Sequence, residues 1–98
     1  MSQWEDRIVA RVGNDPSQVV RQVGRRISEL RKDAQLTQSE LAEQAGVGVR
    51  YLQRIEAGEI NLTIRSLVRF SHLLDTSVIE LFREPKAPRP RRGRPRRT

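Results

Sequence analysis

The first apolar residues of the chain recur at every fourth position: Trp4, Ile8 and Val12. Ser2 and Glu5 form a capping box in front of this pattern, and Gly13 with Asn14 interrupts it. The spacing predicts a short amphipathic helix over about residues 3–12, within an N-terminal segment of residues 1–15. We interpret Trp4 as a packing anchor for that helix rather than as a platform for base stacking.

A longer helical pattern follows. Asp15 has the chemistry of an N-cap, and Pro16 suits the first helical position. The apolar face of this pattern consists of Val19, Val23, Ile27, Leu30 and Ala34. We therefore expect a helix that runs from residue 16 to about residue 34.

Two short helices are predicted next. Thr37 and Glu40 form a capping box before an apolar run of Leu41, Ala42 and Ala45, which ends at Gly46. Gly48 is an acceptable N-cap for a second short helix over about residues 49–57, with Leu52 and Ile55 as its apolar pair and Gly58 as its stop.

The last helical signals lie between residues 63 and 82. Thr63 is placed to begin a helix, whose predicted inner face consists of Ile64, Leu67, Val68, Ser71 and Leu74. We expect Ser77 and Glu80 to cap a final short turn that ends at Leu81 and Phe82. No segment has the pattern of a strand, so the predicted fold class is all-α.

The two short helices have the spacing of a helix-turn-helix, with the motif at residues 38–57. Such a motif needs a small residue at the helix crossing and a glycine in the turn, which Ala42 and Gly46 supply. The side chains left to point outward on the second helix are Val49, Arg50, Gln53 and Arg54. In the major groove, arginine donates two hydrogen bonds to guanine and glutamine pairs with adenine. The same side chains are also compatible with an ordinary solvated helix face, and Gln53 with a solvated amide.

Residues Val23 to Phe82 resemble the Xre-type, phage-repressor-like helix-turn-helix family. The resemblance rests on Gly24-Arg25-Arg26-Ile27, Leu30-Arg31, Leu36-Thr37-Gln38, Glu40-Leu41-Ala42, Ala45-Gly46-Val47, Ile55-Glu56-Ala57-Gly58 and Asn61. It implies a compact five-helix DNA-binding domain at residues 16–83 that usually binds DNA as a homodimer. Gly48 departs from the family pattern, where Ser or Thr is common, and so does Leu62, where proline is common.

The resemblance also implies roles for individual residues. Gln38 is expected to contact a phosphate, and Arg50 and Arg54 are candidates for base edges. Backbone contacts are expected from Tyr51 and from the loop of Asn61 to Thr63. An ion pair between Arg31 and Glu56 is expected to link the first helix of the domain to the end of the recognition helix.

The charge of the chain is concentrated at its C-terminal end. The net charge of the 98 residues is +7, and eight basic residues but a single acidic one lie from Arg83 to Thr98. The remaining residues are electrically balanced, so we expect residues 84–98 to form a disordered basic tail that meets a polyanion. Nucleic acid is favoured over an anionic membrane because the tail has no apolar anchor beside its charges.

Within this tail, Arg92, Gly93, Arg94 and Pro95 resemble the core of an AT-hook, a short peptide that lies in the minor groove of A·T-rich DNA. Glycine permits close approach to the groove floor, and arginines are attracted by the potential of a narrow groove. The alternative is a basic arm that only neutralises phosphates and speeds association.

Composition excludes several other classes of function. Without cysteine there is no disulfide framework, thiolate zinc site or cysteine nucleophile. No phosphate-binding loop or catalytic constellation is present, and His72 has no metal-ligand spacing around it. We expect no enzyme activity, no cofactor and no metal. The lack of a signal-peptide pattern and of a membrane span predicts a soluble, cytoplasmic, nucleoid-associated protein.

The sequence therefore predicts a transcriptional regulator, a repressor or an activator, that binds double-stranded DNA. One alternative is a protein-interaction module such as an antitoxin or adaptor, and another is an architectural protein of A·T-rich DNA. Glu40 and Glu43 are candidates for contact with RNA polymerase, although a solvated acidic face explains them as well. Dimerisation is expected through Leu81, Phe82 or the Trp4 face.

Overall fold

The computed structural model describes residues 15–86. Its elements, in chain order, are α1 (Pro16–Asp33), α2 (Gln38–Ala45), α3 (Val49–Glu56), α4 (Ile64–Leu73) and a 3-10 helix (Val78–Phe82). Residues 15–86 contain no strand, which agrees with the predicted all-α class. Within these residues the structure thus has four α-helices and a 3-10 helix, whereas the resemblance implied five helices. The helix predicted for residues 3–12, and the tail from residue 87 onward, lie outside the described residues.

Capping side chains explain where three of the helices begin. Asp15 Oδ2 accepts a hydrogen bond from the Gln18 backbone N–H at 3.2 Å, and Thr63 Oγ1 accepts one from the Ser66 N–H at 3.1 Å. The capping box of Thr37 and Glu40 is complete, because each side chain accepts the other residue's backbone N–H. These predicted helix starts are confirmed.

The cap predicted at Ser77 is wrong. Its side chain makes no capping hydrogen bond to the 3-10 helix. The Glu80 carboxylate is instead occupied by Arg26 and Arg83. The hydrogen bond from Arg83, with further contributions from its charge and from Arg26, holds the pKa of Glu80 below its usual value although partial desolvation raises it.

The hydrophobic core lies where α1 packs on α3 and the 3-10 helix, α2 packs on α3 and α4, and α4 packs on the 3-10 helix. Its fully buried large side chains are Ile27, Leu41, Leu52, Ile55 and Leu81. Leu81 is therefore a core residue, and the expectation that it forms part of a dimer surface is wrong. Ala34 is exposed, because α1 ends before it and Ala34 is the C-cap residue.

The inner face predicted for α4 is only partly right. Leu67, Ser71 and Leu74 are buried as predicted, but Ile64 is 70% exposed and Val68 is also exposed. Phe70 is buried in their place. Residues 67, 70, 71 and 74 lie on one side of α4 at helical spacing, and this side, which includes the large ring of Phe70, packs against the core. Val68 then lies to one side of it.

The chain beyond the 3-10 helix is anchored along α1. The buried guanidinium of Arg26 donates from Nε to the Glu80 carbonyl at 2.9 Å and from Nη1 to Glu29 Oε1 at 2.8 Å. Gln22 Nε2 donates to the Phe82 carbonyl at 2.8 Å, and the Lys86 N–H donates to Glu29 Oε2 at 2.8 Å. The last described residue is thus held beside the C-terminal half of α1.

Candidate nucleic-acid interface

The turn between α2 and α3 sets the angle at which the two helices cross. Gly46 has φ 72, in the left-handed region, where a side chain would be strained. The Val47 N–H closes the turn on the Ala42 carbonyl at 3.0 Å. Ala42 and Ala45 are both buried, and their small side chains allow α3 to lie close against α2. The predicted roles of Ala42 and Gly46 are confirmed.

Helix α3 divides its side chains between core and surface. Leu52 and Ile55 are fully buried, as predicted. The exposed side chains on the same helix are Val49, Arg50, Tyr51, Gln53 and Arg54. This surface carries two guanidinium groups, an amide and a phenol. An α-helix fits the major groove of B-DNA, so these groups have the chemistry and the shape for binding there. Their contacts with DNA remain predictions.

A chain of polar contacts connects α1, α2 and α3 behind this surface. Arg31 donates to Glu56 through Nε at 2.7 Å and Nη2 at 3.1 Å, so the predicted ion pair is confirmed. Gln38 Nε2 donates to Glu56 Oε1 at 2.9 Å, and Gln38 Oε1 accepts from Gln53 Nε2 at 3.4 Å. Because an ionised carboxylate only accepts hydrogen bonds, Glu56 determines which end of the Gln38 amide faces it. The Gln38 carbonyl oxygen therefore faces Gln53 on the recognition helix.

This chain of contacts was not foreseen from the sequence. Gln38 and Gln53 are 15 positions apart and lie on different helices. Periodicity within a single helix therefore gives no signal for a contact between them. Only the crossing of α2 and α3 brings the two amides together. Gln38 is half-buried, and its predicted phosphate contact would use the amide hydrogen that does not face Glu56.

Arg54 has a partner that sequence reasoning also missed. Its Nε lies 3.2 Å from Glu59 Oε1, and both side chains are more than half exposed. Exposed ion pairs are weak because water screens them. Arg54 can therefore exchange Glu59 for another hydrogen-bond acceptor at small cost.

The loop after α3 places Asn61 and Thr63 on the surface. Leu62, between them, is half-buried and packs against the core. Leucine thus anchors the loop at the position where the family resemblance implied proline. The backbone contacts predicted for Asn61 and Thr63 remain predictions.

Glu40 and Glu43 differ in whether their carboxylates are already used within the protein. Glu40 Oε1 accepts the Thr37 backbone N–H at 2.8 Å as part of the capping box. Glu43 is exposed on the same helix. Of the two candidates for contact with RNA polymerase, Glu43 is the one without a capping role.

Residues 27–81, more than half of the chain, match the model of the HTH_3 helix-turn-helix family. The chain belongs to this family. The match begins within α1 and ends in the 3-10 helix, so it contains the whole α2-turn-α3 unit described above. It confirms the resemblance to Xre-type regulators.

Relatives of this helix-turn-helix protein include characterised regulators. It is 43% identical over 63 residues to the HTH-type transcriptional regulator SinR of Bacillus subtilis (strain 168), an alignment that covers 63% of this chain and 57% of SinR. The chain thus spans little more than half the length of that relative.

Solved structures share the fold. The restriction-modification controller protein C.AhdI from Aeromonas hydrophila superposes with a TM-score of 0.61 at 30% identity, over 64% of this chain and 96% of C.AhdI. SinR in complex with DNA superposes with a TM-score of 0.57 at 43% identity, over 60% of this chain and 95% of the SinR chain.

Other kinds of site find no support between residues 15 and 86. That part of the helix-turn-helix protein has no group of three His, Cys, Asp or Glu residues that could hold a metal ion, and His72 is exposed. None of its helices is both long and apolar enough to cross a bilayer. The AT-hook-like residues Arg92, Gly93, Arg94 and Pro95 lie outside the described residues.

Proposed function

We propose that the protein is a transcriptional regulator that binds specific sites in double-stranded DNA and acts without catalysis, in the cytoplasm at the nucleoid. The observation that carries this proposal is the division of α3, with Leu52 and Ile55 in the core and Arg50, Gln53 and Arg54 at the surface. A relative of the same fold has been solved in complex with DNA. In the proposed complex α3 lies in the major groove.

Side-chain chemistry assigns a role to each exposed residue. Arg50 and Arg54 donate to guanine, and Gln53 pairs with adenine while its other amide hydrogen stays with Gln38. Val49 offers an apolar surface to a thymine methyl group. Contacts with the DNA backbone come from Tyr51 on α3 itself and from three residues of the neighbouring elements: Gln38, Asn61 and Thr63.

Replacing Arg50 or Arg54 with alanine tests the major-groove role. We expect each change to cost roughly 1–3 kcal/mol of binding free energy at the preferred site and to relax base choice at one position. Lys32→Ala is the control, because it removes the same charge from an exposed position in the last turn of α1. Affinities for the selected site and for random DNA are compared. Equal losses on both DNAs would contradict the proposal.

We further propose that two copies bind DNA as a symmetric dimer. With Leu81 in the core, the exposed apolar residues of the 3-10 helix are Ile79 and Phe82, which support a contact there. Selection from a random DNA pool should return inverted half-sites with centres roughly 34 Å apart. Sedimentation should find two proteins per site, and Ile79→Glu should reduce this to weak binding of one. A single wild-type protein on the selected site rules out the dimer.

A further inference from the structure

An apolar groove lies between the N-terminal half of α1, the loop that leads into α4, and the end of the 3-10 helix. Its volume is about 220 Å³. Most of its lining is aliphatic or aromatic, and the residues that define it are Val19, Val20, Val23, Leu62, Ile64 and Phe82. Ile64 and Phe82 at its rim are exposed. Apolar surface of this kind is stabilised when another apolar group covers it.

The start of the described chain lies close to this groove. Asp15 is the N-cap of α1, and the first groove residues, Val19 and Val20, come only four and five positions later. Fourteen residues precede Asp15. They are therefore tethered to the edge of the groove, and a short tether gives a segment an effective concentration of the order of millimolar.

The sequence of those residues complements the groove. Trp4, Ile8 and Val12 repeat at helical spacing, and Gly13 with Asn14 separates them from α1. A connection of about two to five residues is long enough to join two antiparallel helices as a hairpin. A segment that turned back in this way would follow the first turns of α1, where the groove is. The ten residues of the predicted helix, 3–12, would extend about 15 Å, which is shorter than α1 itself.

We propose that residues 1–14 bind in this groove of their own chain, with Trp4, Ile8 and Val12 against Val20, Leu62 and Ile64. The tether favours this occupant over a second copy, which has no such advantage in concentration. One effect concerns the loop that carries Asn61 and Thr63, because Leu62 of that loop and Ile64, the first residue of α4, line the groove. If the proposed DNA-binding function holds, the N-terminal segment supports the loop that contacts the DNA backbone.

Trp4 is the only tryptophan in the chain, so its fluorescence reports directly on this contact and needs no DNA. In the full-length protein we expect blue-shifted emission and weak quenching by acrylamide, both independent of protein concentration. Ile64→Asp adds a carboxylate at the groove rim, at a site that is already 70% exposed. It should shift Trp4 emission to that of a free peptide of residues 1–14 and increase quenching several-fold.

Val68→Asp is the matched control, since Val68 lies on the same helix as Ile64, is exposed and does not line the groove. It should leave Trp4 emission unchanged, and circular dichroism should show that both variants keep their helices. Peptide-like emission from the wild-type protein would overturn the proposal. So would protection of Trp4 that grows with protein concentration, which indicates a second copy, or an Ile64→Asp variant without effect. Since DNA is absent, none of these outcomes bears on the proposed DNA-binding function.

Discussion

Glu56 shows how a single buried charge organises the surface of the recognition helix. Its side chain is only 6% exposed, and removal from water would be costly without partners. Arg31 supplies two hydrogen bonds and Gln38 a third. Through Gln38, the carboxylate also determines which atom Gln53 meets. A residue that DNA does not need to touch thus influences the orientation of one that is proposed to read a base.

Glu56→Ala should destabilise the fold far more than the same change three positions later. It leaves the guanidinium of Arg31 buried without its partner, and the expected loss is about 3–5 kcal/mol of unfolding free energy. Glu59→Ala, which frees only the exposed Arg54, should cost at most about 1 kcal/mol. Urea denaturation of both variants measures the difference. Similar losses of unfolding free energy in the two variants would show that the buried Arg31–Glu56 pair contributes no more to stability than an exposed one.

At the scale of the elements, α1 and the end of α3 approach each other at a glycine. A Cβ built on Gly24 would lie 2.4 Å from the Ile55 carbonyl oxygen and 3.1 Å from that of Glu56. These oxygens belong to backbone, so neither can move aside as a flexible side chain would. The absence of a side chain at Gly24 sets the distance between the two helices.

Gly24→Ala therefore separates two physical effects of opposite sign. Helix propensity alone predicts that alanine stabilises α1 by about 1 kcal/mol. The steric conflict with α3 should cost about 3 kcal/mol, which outweighs this gain and leaves a net destabilisation of about 2 kcal/mol. The control is Gly48→Ala, where a Cβ meets nothing within 4 Å and the loss of a favourable N-cap should cost less than about 1 kcal/mol. Thermal unfolding followed by circular dichroism shows whether each variant is less or more stable than the wild type. A stabilised Gly24→Ala variant would contradict the close approach of α1 to the end of α3.

At the scale of the whole molecule, the point where the tail leaves the domain is held in place. Gln22 binds the Phe82 carbonyl, and Glu29 binds the Lys86 N–H. Arg92 to Pro95 lie six to nine positions beyond Lys86, so an extended chain carries this motif about 20–30 Å from the anchor. A reach of that length supports the contact with the minor groove beside a half-site that the sequence predicts.

Deletion of residues 87–98 tests the tail and keeps the anchor at Lys86. The loss of six arginines should weaken all DNA binding and flatten its dependence on salt, since fewer counterions are released. That result fits both an AT-hook and a simple basic arm.

The comparison that separates them places A·T or G·C pairs beside a fixed operator. The full-length protein should prefer A·T flanks, because a guanine amino group blocks the groove floor. Gly93→Glu should abolish the preference, whereas Ala87→Glu, with the same charge change outside the motif, should retain it. Equal binding to both flanks by the full-length protein identifies the tail as a basic arm.

The sequence by itself determined the starts of the helices and the outward face of α3. Caps such as Asp15, Thr37 and Thr63 bind backbone groups three residues away, and Gly46 acts through its own φ. These are local effects, so spacing along the chain is enough to predict them.

Only the tertiary structure decided the exposure of Ile64, the burial of Leu81, the contact of Arg26 with Glu80 and the partners of Gln38. Each depends on contacts between residues far apart along the chain, such as Arg26 with Glu80 across 54 positions. A hydrophobic pattern shows which side chains favour burial, but the core has room for a limited set of them. Phe70 filled a place that the pattern had assigned to its neighbours on α4, because packing selects by shape as well as by polarity.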